Sequence, residues 1–141
     1  DKKPSKEAPL HAVMYGIGEE IQAVIHTHSP YAVIWSCLDS CSGRDVIPRY
    51  TPYLDMKAGK VAAVPYAPPG SPELFGLMRE YAGSERAYLL ANHGPIVGGL
   101  SLMNAFEAIE ELEQSAFLAW NFAEYEKLPD VRADRYDNKR R

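Results

Sequence analysis

The sequence predicts a single layered α/β domain, with a mixed or largely antiparallel sheet covered by helices. Three observations lead there. Short apolar runs of strand character, AVIHTH, VAAVPY and AYLLAN, alternate with segments whose apolar residues recur at helical spacing. Turn residues separate the two kinds of segment, with no internal repeat and no low-complexity linker. At 46% hydrophobic and 24% charged over 141 residues, the chain has enough apolar material for one core.

Taken in order, Leu10, Val13, Met14 and Ile17 mark one face of a first helix, with Ser5 as its N-cap and Pro9 in its first turn. Ile21 to His28 reads as a buried strand, because Ala23, Val24 and Ile25 are continuous and Thr27 is β-branched. Ser29 and Pro30 open a helix to about Leu38. A turn covers 39–43, Val46 and Ile47 form a short extended piece, and Pro48 and Pro52 punctuate a loop carrying Tyr50, Tyr53 and Asp55. Val61 to Tyr66 is the next strand, and Pro68, Pro69 and Gly70 stop it. Ser71, Pro72 and Glu73 supply an N-cap, a proline at N1 and a first-turn acid for a helix to Tyr81. Ala87 to Asn92 is a strand, Gly94 and Pro95 a tight turn, and Ile96 to Val97 a short return. Leu102, Ala105, Phe106, Ile109, Leu112 and Ala116 then form the inner face of a long helix to about Lys127, opposite Glu107, Glu110, Glu111 and Glu113. The domain is expected over 1–128, with a polar tail at 129–141.

Composition narrows the function. A net charge of -4 and a pI near 5.6 leave no broad basic surface, which argues against nucleic acid as a partner. No apolar run approaches the roughly 20 residues of a membrane span, and no signal peptide is evident, so a cytoplasmic location is expected. Cys37 and Cys41, a possible helical turn apart, read as reduced thiols.

The chemistry lies in histidines. In VIHTHSP, His26 and His28 are two residues apart, and the period of a strand sends both imidazoles to one face. His93 ends the segment YLLANH and precedes Gly94, where a bare backbone can turn tightly. Three histidines with an open position describe a catalytic site for one divalent metal, with zinc favoured over manganese or others. A cupin also uses His-x-His, but adds a glutamate shortly after it, where Ser29, Pro30 and Tyr31 stand here. By position alone Glu7 is a first-turn acid favoured by the helix dipole, and His11, one turn on, is a packed or supporting histidine.

PSKEAPLH, VIHTH and LLANHG, in this order and spacing, resemble the class II aldolase and adducin head family, which includes fuculose phosphate aldolase and ribulose phosphate 4-epimerase. Within it, DKKPSKEA, YTPYLDMKAGKVAAVPYAPPGSPE and LLANHGPIV are most similar to the 3-oxo-tetronate 4-phosphate decarboxylases. The resemblance implies a class II aldolase-like fold lacking an upstream segment of several dozen residues, whose Gly-Asn and Gly-Ser-rich loops help hold substrate phosphate. It implies His26, His28 and His93 as metal ligands, with Glu7 alternating between fourth ligand and acid/base. It places Ser5 and Lys6 at the substrate phosphate, where a helix N-terminus is also favourable. Tyr53 falls where the aldolases carry a tyrosine proton donor reaching a neighbouring subunit, in a homo-oligomer expected to be a tetramer. The implied reaction is decarboxylation of 3-oxo-tetronate 4-phosphate to dihydroxyacetone phosphate through a metal-stabilised enediolate. The alternatives are a fuculose-phosphate-type aldolase, a ribulose-phosphate 4-epimerase, or an adducin-like interaction module without catalysis.

Overall fold

The computed structural model describes residues 3–125. Among these described residues nine elements follow in order: α1 (Ala8–Tyr15), β1 (Ala23–His26), α2 (Pro30–Ser36), α3 (Tyr53–Lys57), β2 (Val61–Val64), α4 (Pro72–Tyr81), β3 (Ala87–Leu90), β4 (Gly94–Gly99) and α5 (Leu102–Tyr125). The four strands form one mixed sheet in the order β1-β4-β3-β2. β1 and β3 each run antiparallel to β4, while β2 runs parallel to β3. The parallel pair requires a crossover, which α4 supplies.

Strand alternation sorts the core into two halves. Val61, Ala63, Ala87, Leu89 and Val97 face one side and pack with residues of α2, α3 and α5, among them Ala32, Leu54, Ala108 and Leu112. Ala62, Val64, Tyr88, Leu90 and Ile96 face the other and pack with Leu10 and Met14 of α1 and with Leu74 and Met78 of α4. Both faces of β2 and β3 are therefore buried, which is why these strands read as unbroken apolar runs. The result is a helix–sheet–helix sandwich, the layered α/β domain with a mixed sheet that the sequence predicts.

Several details differ from the sequence reading. The segment 48–55 is not all loop, since Tyr53–Lys57 forms α3 with Pro52 as its N-cap. Burial of Leu54, with Asp55 in the first turn and Lys57 in the last, stabilises this short helix. The expected turn at Gly94 and Pro95 lies earlier, at 91–93, so the return strand is six residues long. α2 ends at Ser36, which leaves Cys37 as its C-cap and both free cysteines off the helix. Burial, reinforced by the neighbouring Cys37, pushes the Cys41 thiol up to about 11.

Glu113 is not on a solvent face. Its two carboxylate oxygens accept the N–H groups of Tyr31 and Ala32, at 2.9 and 2.8 Å, and so cap α2 from α5. The outer edge of β2 is covered by the segment 43–46, where Ala63 N–H donates to Gly43 O at 2.8 Å and Val46 N–H to Val61 O at 3.0 Å. The expected tail at 129–141 and the end of the last helix beyond Tyr125 lie outside the described residues. Among the described residues, no helix is long and apolar enough to cross a membrane.

Candidate metal centre

The end of the sheet gathers four side chains from three parts of the chain. His26 is the last residue of β1 and pairs with Ile96, so its ring projects to the α1/α4 face of the sheet. Its Nδ1–H donates to the carbonyl of Pro95 at 2.8 Å, which leaves Nε2 with its lone pair directed away from the ladder. Thr27 N–H donates to the same carbonyl at 3.2 Å.

His28 lies beyond the ladder, on the link between β1 and α2. Strand alternation alone therefore does not place it, although the link delivers its ring to the same spot. His93 occupies the turn between β3 and β4, after Asn92 at φ 54° and before Gly94 at φ 147°. A Cβ at Gly94 would stand 2.5 Å from the carbonyl oxygen of Thr27 and 3.4 Å from the Cα of His28. Glycine is required both for the dihedral and for this close approach.

The fourth group is Glu7, the N-cap of α1. Ser5 is not the cap: its Oγ accepts the Glu7 N–H at 3.2 Å in a local turn, and the helix begins at Ala8. Glu7 makes no side-chain cap bond because its carboxylate turns to the histidines.

The Nε2 atom of His93 is 3.3 Å from that of His26 and 3.1 Å from that of His28. Glu7 Oε2 lies 3.4 Å from His26 Nε2, and Oε1 lies 3.3 Å from His93 Nε2. All four ligand atoms fall within 4.8 Å of one another. Nitrogens at the corners of a zinc tetrahedron with bonds of about 2.0–2.1 Å are roughly 3.3–3.4 Å apart, so the spacing fits an ion held at the centre. Burial lowers the pKa of His26 and of His93, keeping both imidazoles neutral, the form that ligates. For His93 the neighbouring His26 pushes the same way, whereas Glu7 opposes it in both rings. Lone pairs and a carboxylate converging at this range repel one another unless a cation sits between them. Glu7 Oε1 is buried and makes no hydrogen bond, the condition of an oxygen awaiting one.

A cleft of about 370 Å³ opens on this cluster, lined by Ser5, Lys6, Glu7, His28, Pro69, Gly70 and His93. Ser5 and Lys6 thus stand beside the candidate ligands in the cleft wall. Tyr53 does not line the cleft; it is 54% exposed at the start of α3. His11 stays outside the ligand set, close enough to His26 to lower its pKa further. The Pro69–Gly70 wall was missed in the sequence, where the PPG segment read only as the end of a strand. Ser71 N–H donates to Pro68 O at 3.1 Å, with proline and a positive-φ glycine between them, the arrangement of a type II turn. Proline followed by glycine was the available signal.

The sheet end presents three histidines and a carboxylate to an open cleft, a donor set on an α/β domain that could hold one divalent ion. Residues 1–120 match the Class II Aldolase and Adducin N-terminal domain family, and the chain belongs to that family. It is 43% identical over 116 residues to the 3-oxo-tetronate 4-phosphate decarboxylase of Haemophilus influenzae, a match covering 82% of this chain and 55% of that protein. It is 35% identical over 116 residues to an L-fuculose phosphate aldolase of Methanococcus maripaludis, covering 82% of this chain and 61% of the other. Among solved structures, YgbL from Escherichia coli superposes with a TM-score of 0.81 at 39% identity, covering 86% of this chain and 58% of that one. The chain spans about half the length of the curated decarboxylases it matches.

Proposed function

We propose that this chain carries the metal-binding part of a carbon–carbon lyase that decarboxylates a small phosphorylated sugar acid, 3-oxo-tetronate 4-phosphate, to dihydroxyacetone phosphate. The observation that carries the reading is the convergence of His26, His28, His93 and Glu7 on one point beside a cleft that also holds Ser5 and Lys6. The naming of the 42–43% identical relatives as decarboxylases supports the substrate.

His26, His28 and His93 would hold one divalent ion, zinc by the chemistry of three imidazoles, with Glu7 as a possible fourth ligand. Such an ion supplies Lewis acidity toward the oxygens of a 3-oxo acid. Lys6 and the Ser5 hydroxyl bind the phosphate and fix the chain of carbons along the cleft. The bond between the carboxyl carbon and its neighbour breaks, carbon dioxide leaves, and the electron pair stays on the neighbouring carbon. Glu7 then delivers a proton to that carbon, and solvent restores the carboxyl proton. Tyr53, outside the cleft of its own chain, would serve the site of a neighbouring copy in a homo-oligomer, for which a tetramer is proposed. A cytoplasmic location is part of the same proposal. The second reading, an aldolase on a sugar phosphate, is favoured by the 35% identical fuculose phosphate aldolase and uses the same ligands.

The test is metal content beside activity. About one zinc per chain, lost in a His26→Ala, His28→Ala double variant, with carbon dioxide released from 3-oxo-tetronate 4-phosphate, is the expected result. Failure of the chain to take up any divalent ion would sink the lyase reading in favour of an adducin-like module. Bound metal with cleavage of fuculose 1-phosphate instead would select the aldolase.

A further inference from the structure

His28 is the exposed member of the candidate ligand set and the one that no strand ladder holds. Only Ser29 separates it from α2, so the position of that helix sets the position of the ring. The far end of α2 touches a second ligand-bearing segment, because the Ser36 carbonyl accepts the N–H of Asn92, next to His93, at 3.0 Å. Between these ends, Val33 packs close to Gly94, where a Cβ would meet its side chain at 3.5 Å. The helix is thus a strut between two of the three histidines. At seven residues it has little stability of its own and depends on what it is fastened to.

Its fastening is Glu113. Ser29, at the N-cap, makes no side-chain cap bond, and the first free N–H groups of α2 go instead to both oxygens of this α5 carboxylate. A charged acceptor taking two backbone N–H groups at 2.8 and 2.9 Å is a strong and directional clamp. α5 is the longest of the described elements and is anchored in the core by Ala108, Leu112 and Ala116, so the clamp ties the strut to a helix seated in the core.

We propose that Glu113 is a positioning residue for the metal centre, holding α2 in the register that aims His28 and the His93 turn at a common ion. The inference rests on the metal reading above. Removing the clamp should cost metal affinity while the remaining fold persists.

The experiment is cobalt(II) titration of the metal-free chain, followed by its visible d–d absorption, for the wild type, Glu113→Gln, Glu113→Ala and Glu110→Gln. Glu110 is exposed on the same helix and controls for the loss of one negative charge. Circular dichroism and thermal melting accompany each titration. Outer-shell partners of metal ligands are typically worth about 10–100-fold in affinity, and an effect relayed through a helix should reach the lower end. The expected result is therefore about tenfold weaker binding in Glu113→Ala with an altered d–d spectrum, a smaller loss in Glu113→Gln, which keeps one acceptor, and none in Glu110→Gln. Glu113→Gln also serves if the alanine variant fails to fold. A lowered melting temperature with affinity and spectrum equal to wild type would make Glu113 a stability residue only and overturn the proposal. Equal weakening by Glu110→Gln would overturn it in favour of net charge. Absence of cobalt binding by the wild type would instead remove the metal reading itself.

Discussion

Substitution of Gly94 by alanine tests the close approach that joins the two histidine-bearing segments. The new Cβ would stand 2.5 Å from the Thr27 carbonyl oxygen, and ordinary van der Waals contact begins near 3.4 Å. The backbones must part by close to an ångström. A non-glycine residue at φ 147° costs about 1–3 kcal/mol. Parting the strands also weakens the Thr27 N–H to Pro95 O bond, worth about 1 kcal/mol. Together these predict a loss of about 2–4 kcal/mol, measurable by urea denaturation of the metal-free chain followed by circular dichroism. The same displacement exceeds the roughly 0.2 Å tolerance of metal–ligand distances, so zinc affinity should fall at least about tenfold. A loss under about 0.5 kcal/mol with unchanged zinc affinity would refute the reasoning, since it would mean that the site tolerates a side chain between Thr27 and His28.

Three further outcomes follow from the same geometry. With the pKa of His26 and His93 lowered below 6.5, the unfolded chain binds more protons than the folded one just below that pH. Stability of the metal-free chain is therefore fully present above pH 6.5 and lost as pH falls toward the lowered values, by up to about 2.7 kcal/mol per unit for two such groups; urea midpoints at pH 7.5 and 5.5 check this, and a flat profile would contradict it. Because the Cys41 thiol is pushed up to about 11 whereas Cys37 is exposed, iodoacetamide at pH 8 should label Cys37 well before Cys41, as read by peptide mass spectrometry. Tyr88→Phe removes a fully buried hydroxyl that donates to Glu85 O at 2.8 Å and accepts from Gly83 N–H at 3.0 Å, and should cost about 1–3 kcal/mol in denaturation, with no change in zinc stoichiometry.

How much of this was legible in the sequence depended on whether the determinant was local. The helix 72–81 was readable because its cap is: Ser71 Oγ accepts Leu74 N–H at 3.1 Å, followed by a proline at N1. The strands β2 and β3 were readable because both faces are buried, which leaves an apolar run in the sequence itself. The gathering of His26, His28 and His93 could be proposed from spacing and resemblance, but the physical reason proposed for His28 was incomplete, since it is the link after β1 that delivers it. Glu113 was misread because helical period alone sends it to the outer face, whereas its partners lie 81 and 82 residues away on α2. The Pro69–Gly70 wall was hidden for a related reason: a turn motif states its shape but not what it faces. Ser5 shows the opposite case, a good capping residue displaced because Glu7 is drawn to the histidines.

The candidate ligand set draws on positions 7, 26, 28 and 93, so a single ion would bridge segments up to 86 residues apart. An unfolded chain brings such distant groups together only at a large entropic cost, and binding therefore belongs almost wholly to the folded form. Free ion at one hundred times the dissociation constant would add about 2.7 kcal/mol to stability. The free metal concentration around the protein would then set how long the chain resists proteolysis.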